Sequence, residues 1–209
     1  MTQTAASASI KYWIVSAILA ALLVLAWDRF LLESIMVPTG SMEPTILSGE
    51  RLLVWKWPTQ LKRFDIVVVR IPGKQHRYIK RVIGLPGEQV VLREGYRVEI
   101  NGRPLPLAAD NFPGRFREQE PGSGRVHVLQ AVKLPRTPHE AKFGQEPGFC
   151  LGPDEYFVLG DNRWHSEDSR VFGQVRRQEI DGVAWRIWLS LDPCASHKLR
   201  WERVGLKLQ

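Results

Sequence analysis

The sequence predicts an all-β protein. Its mostly antiparallel, barrel-like core carries a loop-rich β insertion and follows a single N-terminal transmembrane helix. Three observations lead there. Short segments rich in β-branched and aromatic residues recur from Arg51 onward. Turn-forming dipeptides separate them. The one long apolar run lies near the start of the chain, and no amphipathic helix of useful length follows it.

The apolar run, Tyr12 to Trp27 (YWIVSAILAALLVLAW), contains no charge. As a helix it would rise about 24 Å, a little short of a hydrocarbon core of roughly 30 Å. Ile10 extends it, because Lys11 can lift its ammonium toward the headgroups. Trp13 and Trp27 bracket it as interfacial aromatics do. The expected organisation is a tail over 1–9 and an anchor over 10–29. A cleavable signal peptide ending at Val24-Leu25-Ala26, or a buried core helix, are the competing assignments. Lys11 and the amino terminus on one side, with Asp28, Arg29 and Glu33 on the other, place the N-terminus in the cytoplasm and the rest outside. The expected location is therefore the cytoplasmic (inner) membrane, single-pass, with the folded part on the extracytoplasmic side.

After Arg29, FLLESIMVP is too short to span; it lies at the interface, forms a first strand, or does both. Strands are then expected at RLLVWKW (51–57), DIVVVRI (65–71), YIKRVIGL (78–85), EQVVLRE (88–94) and YRVEI (96–100). Asn101-Gly102 after YRVEI is a hairpin signal. Core segments 30–107 and 150–209 flank an insertion over 108–149, where five prolines and five glycines accompany one expected strand, RVHVLQAV. EYFVL and GVAWRIWL supply later strands.

The 209 residues carry a formal net charge of +7, which suggests an anionic partner. No basic block, zinc-finger spacing or Gly-rich phosphate loop accompanies it, so membrane lipid is expected rather than nucleic acid. Cys150 and Cys194 fit neither a disulfide framework nor a four-ligand metal site.

Three segments carry potential chemistry. Pro38-Thr39-Gly40-Ser41-Met42-Glu43-Pro44-Thr45 presents a serine in a proline-bracketed turn. In the strand Tyr78 to Leu85, alternation puts Tyr78, Lys80 and Val82 on one face and Ile79, Arg81 and Ile83 on the other. Gly160-Asp161-Asn162-Arg163-Trp164-His165-Ser166-Glu167-Asp168-Ser169-Arg170, followed by Gly173, is dense in turn formers and acid–base pairs. Read singly, each has an ordinary explanation: a loop serine, an edge lysine, a structured loop.

Together, and in this order, they resemble the Ser-Met, Lys-Arg and final boxes of bacterial type I signal peptidases, the Ser/Lys-dyad serine proteases. Asp65-Ile66-Val67-Val68 resembles the short box between them. The resemblance covers roughly Pro38 to Leu191 and implies a membrane-bound endopeptidase that removes signal peptides from exported preproteins after Ala-x-Ala-like small residues. A specialised peptidase maturing a pilin-like subunit of a conjugation or secretion system is the alternative. Carried onto this chain, the resemblance makes Ser41 the nucleophile and Lys80 the general base. The Ser41 N–H and the Thr39 hydroxyl form the oxyanion hole, and Ser166 orients the base. Arg81, Asp161, Arg163, Asp168 and Arg170 support the site, and Ile35, Val37, Pro38, Tyr78 and Ile79 line the substrate pocket. His165 is expected to be a loop histidine. No metal or organic cofactor is implied. Thr39 stands where the family often has Ser, Glu88 replaces the usual Asp after Pro-Gly, and one spanning segment is present instead of two.

Overall fold

The computed structural model describes residues 13–19, 31–131 apart from 57, 59, 94 and 95, and 148–208. Residues 13–19 are helical and exposed. The remainder of the expected 10–29 anchor, with the 1–9 tail and the Val24-Leu25-Ala26 triplet, lies outside the described residues. Among the described residues no helix is long and apolar enough to cross a membrane.

Alternating and continuous apolar runs form the expected strands. The main sheet joins β1 (Leu32–Met36), β2 (Glu50–Trp55), β3 (Ile66–Arg70), β4 (Arg77–Gly84), β12 (Glu155–Leu159), β13 (Val175–Arg176), β14 (Ile180–Asp192) and β15 (Lys198–Leu199). Its order is β1-β2-β14-β3-β4-β12-β13, with β15 on β14, and every pair is antiparallel. The path is open among the described residues, with β1 and β13 at its ends, so no ladder pair closes the expected barrel. The FLLESIMVP segment supplies β1, which pairs Ile35 with Leu52.

Strand β3 shows why its sequence is continuously apolar. Ile66 and Val68 face one buried cluster with Ile35, Leu52, Ile79 and Ile187. Val67 and Val69 face another with Val82, Tyr156 and Val158. A strand covered on both sides has no solvent face to make polar. The same double burial reaches β4, whose last six residues are all buried.

A second sheet is built by β5 (Gln89–Arg93), β6 (Arg97–Ile100), β7 (Arg103–Pro104) and β11 (Phe149–Cys150), around Val90, Leu92, Val98 and Phe157. Asn101 (φ 51°) and Gly102 (φ 74°) both take positive φ at the β6–β7 turn, as the hairpin signal requires. The insertion holds more structure than the single strand expected. β8 (Leu107–Ala109), β9 (Arg115–Gln119) and β10 (Val126–Gln130) form a three-stranded sheet. β9 escaped sequence reading because RFREQ is charged and only its Glu118 is buried. Phe149 pairs with Val90 in the second sheet. Cys150 and Cys194 are both exposed and unpaired.

Phe157 is fully buried where the second sheet meets β4. Phe157→Ala should lower stability by about 3–5 kcal/mol, read as a lower urea midpoint at unchanged slope.

Candidate active site

The Ser41 segment leaves β1 and is pinned at both ends. Val37 N–H donates to Glu50 O at 2.8 Å and Gly49 N–H to Val37 O at 2.8 Å. Met42 and Ile46 are fully buried in the first cluster, which fixes the turn between them. Ser41 therefore projects from a short loop anchored in the core.

Lys80 lies on β4 opposite Val67, between Tyr78 and Val82 on the strand face. Its side chain is buried, at 2% exposure, and its Nζ is 2.9 Å from Ser41 Oγ. Burial lowers the Lys80 pKa to about 8; Asp168 opposes this, and Arg170 adds to it. Thr39 Oγ1 donates to Ser41 Oγ at 3.4 Å, so its hydroxyl borders the same point.

The loop after β12 closes the site. Asn162 N–H donates to Ser41 O at 3.1 Å, and Asn162 Nδ2 donates to Gly40 O at 3.2 Å. Gly160 packs so closely that a Cβ there would lie 2.2 Å from Ser166 Oγ and 2.6 Å from Ser41 O. Asp168 accepts from Gly160 N–H at 2.9 Å and takes Arg170 through Nε and Nη2, both at 2.7 Å. It also caps the short helix α1 (Ser169–Phe172), and Ser169 Oγ accepts from Val158 N–H at the β12 bulge.

The Arg81 guanidinium is fully buried and grips Asp161 with Nε–Oδ1 of 2.8 Å and Nη2–Oδ2 of 2.6 Å. Burial pushes the Asp161 carboxyl up, and Arg81 outweighs it, so the carboxyl is held below its ordinary value. Arg163 bonds Glu118 of the insertion at 3.0 Å and the Tyr96 carbonyl at 3.2 Å. Glu118 also contacts His127 Nε2 at 2.9 Å. Burial, then Arg81, lowers the His127 pKa.

Thr39, Ser41, Lys80 and the five support residues thus converge from three separate segments. Ser166 is buried beside Gly160, and its Oγ borders the Asp168 carboxyl. It adjoins the site without the bond to Lys80 that the resemblance implied. A cleft of about 490 Å³ opens on the dyad, walled by Val37, Pro38, Met42, Tyr78 and Ile79. Ile35, expected in this pocket, is instead in the core cluster beneath it: on β1 it alternates inward, toward Leu52 and Val54. His165 stands in the cleft wall, whereas Ser41 Oγ is engaged by Lys80. Sequence reasoning did not single out Gly160 or Asn162, although both lie in the quoted final box. Glu118 and His127 carry no sequence signal, since their partners are distant.

The family described as signal peptidase, peptidase S26, matches residues 10–189. The chain belongs to this family. It is a serine peptidase hydrolase. The chain is 31% identical to signal peptidase I of Pseudomonas aeruginosa, over 88% of this chain and 74% of that protein. It is 33% identical to signal peptidase I P of Bacillus subtilis subsp. natto, over 86% and 89%. A solved signal peptidase I from Enterococcus faecalis is 32% identical, covering 61% of this chain and 98% of that one, with a TM-score of 0.38.

In this family member the Gly160 contact is a backbone-level constraint on Ser41. Gly160→Ala should cut kcat/KM at least about 100-fold by displacing Ser41 and Ser166, while the chain still accumulates and folds. Wild-type turnover of a preprotein by this variant would remove Gly160 from the site.

Proposed function

We propose that this peptidase removes N-terminal signal peptides from exported preproteins by a Ser41/Lys80 dyad, cutting after Ala-x-Ala-like small residues. The observation that carries this is the 2.9 Å approach of Lys80 Nζ to Ser41 Oγ inside a buried site. A serine hydroxyl attacks only when a base removes its proton. An ordinary lysine is protonated at neutral pH and cannot serve. Burial disfavours the ammonium, and a pKa of about 8 leaves a useful neutral fraction.

In the proposed reaction neutral Lys80 takes the Ser41 proton as Oγ adds to the scissile carbonyl. The Ser41 N–H and the Thr39 hydroxyl stabilise the oxyanion. The Lys80 ammonium then protonates the leaving amine, the new N-terminus of the mature protein. Water, deprotonated by Lys80, releases the signal peptide from Ser41. Ser166, beside Gly160, confines the amine. Small substrate side chains fit the shallow cleft between Val37, Pro38, Tyr78 and Ile79.

The N-terminal run supports a single-pass anchor with the catalytic domain outside the cytoplasm, within the proposed division into anchor (10–29), core (30–107 and 150–209) and insertion (108–149). β1 begins only a few residues after that anchor. Met36, Trp55, Trp185 and Trp188 are exposed on neighbouring strands of the same sheet. Tryptophans so placed suit a lipid interface. Membrane lipid is then a partner, and sharing the bilayer with the substrate's apolar segment raises their effective concentration.

Ser41→Ala and Lys80→Ala should each abolish cleavage of a preprotein in membranes; activity surviving in either refutes the dyad. Because the neutral amine is the active form, kcat/KM should rise with pH, with its acid limb near the lowered Lys80 pKa, and fall away below it. A limb above about pH 10 would mean that Lys80 is not desolvated. Thr39→Val should lose about 10²–10³-fold in kcat while Thr39→Ser keeps activity. Full activity in Thr39→Val would take that hydroxyl out of the oxyanion hole.

A further inference from the structure

Glu167 departs from the roles assigned to its neighbours. It lies between Ser166 and Asp168, yet it turns into the wall of the substrate cleft. There it takes Lys74 Nζ at 2.7 Å and the Tyr78 hydroxyl at 3.4 Å. Lys74 stands at the tip of the β3–β4 hairpin, where its N–H closes a turn on Ile71 O. One carboxylate therefore ties that hairpin tip to the loop carrying Ser166.

Tyr78 connects the tie to the dyad. Two residues before Lys80 on β4, its ring centroid is 5.7 Å from Lys80 Nζ. The ring also packs against Phe172 of α1, with centroids 5.6 Å apart. The contacts thus run from Lys74 through Glu167 and Tyr78 to Lys80 and Ser41. Both charges of the outer pair are partly exposed, at 46% and 27%, so the pair stabilises the fold little. Its position fits control of the base better than support of the fold.

We propose that Lys74, Glu167 and Tyr78 form a clamp in which Glu167 is a positioning residue for the base: it fixes the Tyr78 ring beside Lys80, and Lys74 balances its charge. This rests on the Ser41/Lys80 dyad. The groups around Lys80 are Asp161, Glu167, Asp168 and Arg170 from the loop after β12 and α1, with Tyr78 and Arg81 from β4. His76, Arg77 and His165 line the same cleft. Asp161 is neutralised by Arg81 and Asp168 by Arg170. Glu167 pairs with Lys74, a residue of the β3–β4 turn. Its charge favours the Lys80 ammonium, and an ammonium 2.7 Å from the carboxylate must weaken that pull by Coulomb's law.

The consequence is a pair of opposite effects. Glu167→Gln removes negative charge near the base while keeping a side chain of similar shape, so the acid limb of kcat/KM should move to lower pH. Lys74→Met removes the ammonium 2.7 Å from the carboxylate, so the carboxylate weighs more on Lys80 and the limb should move to higher pH. Each displacement should be about half a pH unit, as expected for a partly exposed pair. The double variant should return close to wild type.

The test uses the full chain in lipid vesicles with one preprotein, comparing wild type, both single variants, the double variant and Lys80→Ala, with a thermal melt for each. Opposite limb displacements at unchanged Tm support the clamp; a purely structural pair would shift Tm and leave the limb in place. Limbs that stay put, or move in the same direction, overturn the clamp while an inactive Lys80→Ala leaves the dyad standing. An active Lys80→Ala overturns both.

Discussion

The buried pair between Arg81 and Asp161 is the constraint on which the site depends. It joins β4, one residue from Lys80, to the loop after β12, one residue from Gly160. The contact is bidentate and excluded from water. Removing one partner would strand a charge in the interior, a change that costs several kcal/mol in comparable cases. Asp161 is followed by Asn162, whose main chain and side chain hold the Ser41 and Gly40 carbonyls. One ion pair thereby fixes the base strand, the closing loop and the nucleophile loop relative to one another.

The acidic residues near Lys80 raise a difficulty that the arrangement resolves. Unpaired carboxylates close to a lysine keep it protonated. Here Arg81 occupies Asp161 and Arg170 occupies Asp168, both in bidentate fashion. Their charges are largely spent within the pairs, and burial dominates the environment of the amine. The arginines beside the dyad therefore act at a distance from the reaction: they allow acids to shape the loop without neutralising the effect of burial on the base.

The insertion takes part in this framework. Gln130 at the end of β10 pairs with the catalytic loop, accepting from Arg163 N–H at 2.8 Å and donating to Asp161 O at 2.7 Å. Glu118 and His127 add a buried cluster with Arg163. Burial pushes the Glu118 carboxyl up, and Arg163 and His127 outweigh it. Glu88 fits the same logic: it pairs with Arg63 at 2.7 Å and accepts from Leu85 N–H, tying the start of the second sheet to the segment that precedes β3. The lobe is therefore a brace for the loop that grips Ser41.

Local pattern determined much of this protein. Alternating or continuous apolar residues set the strands at β2 to β6, β10, β12 and β14, and Asn101-Gly102 set its turn, because these depend on neighbours in the chain. The three boxes named Ser41, Lys80, Thr39 and the Arg/Asp residues. Tertiary structure decided what alternation could not. Lys80 reads as an edge charge in sequence, and only packing on both faces of β4 makes it buried. Ile35 reads as a pocket residue, and only the β1–β2 pairing turns it into the core. β9, Glu118 and His127 were invisible because a charged strand is buried only where another segment supplies its partners. Gly160 matters through atoms of Ser41 and Ser166 that chain distance does not reveal. Burial and charge pairing are properties of residues far apart in sequence, so Ser41 and Lys80 were legible in the chain as the proposed dyad, and the burial that lowers the Lys80 pKa was not.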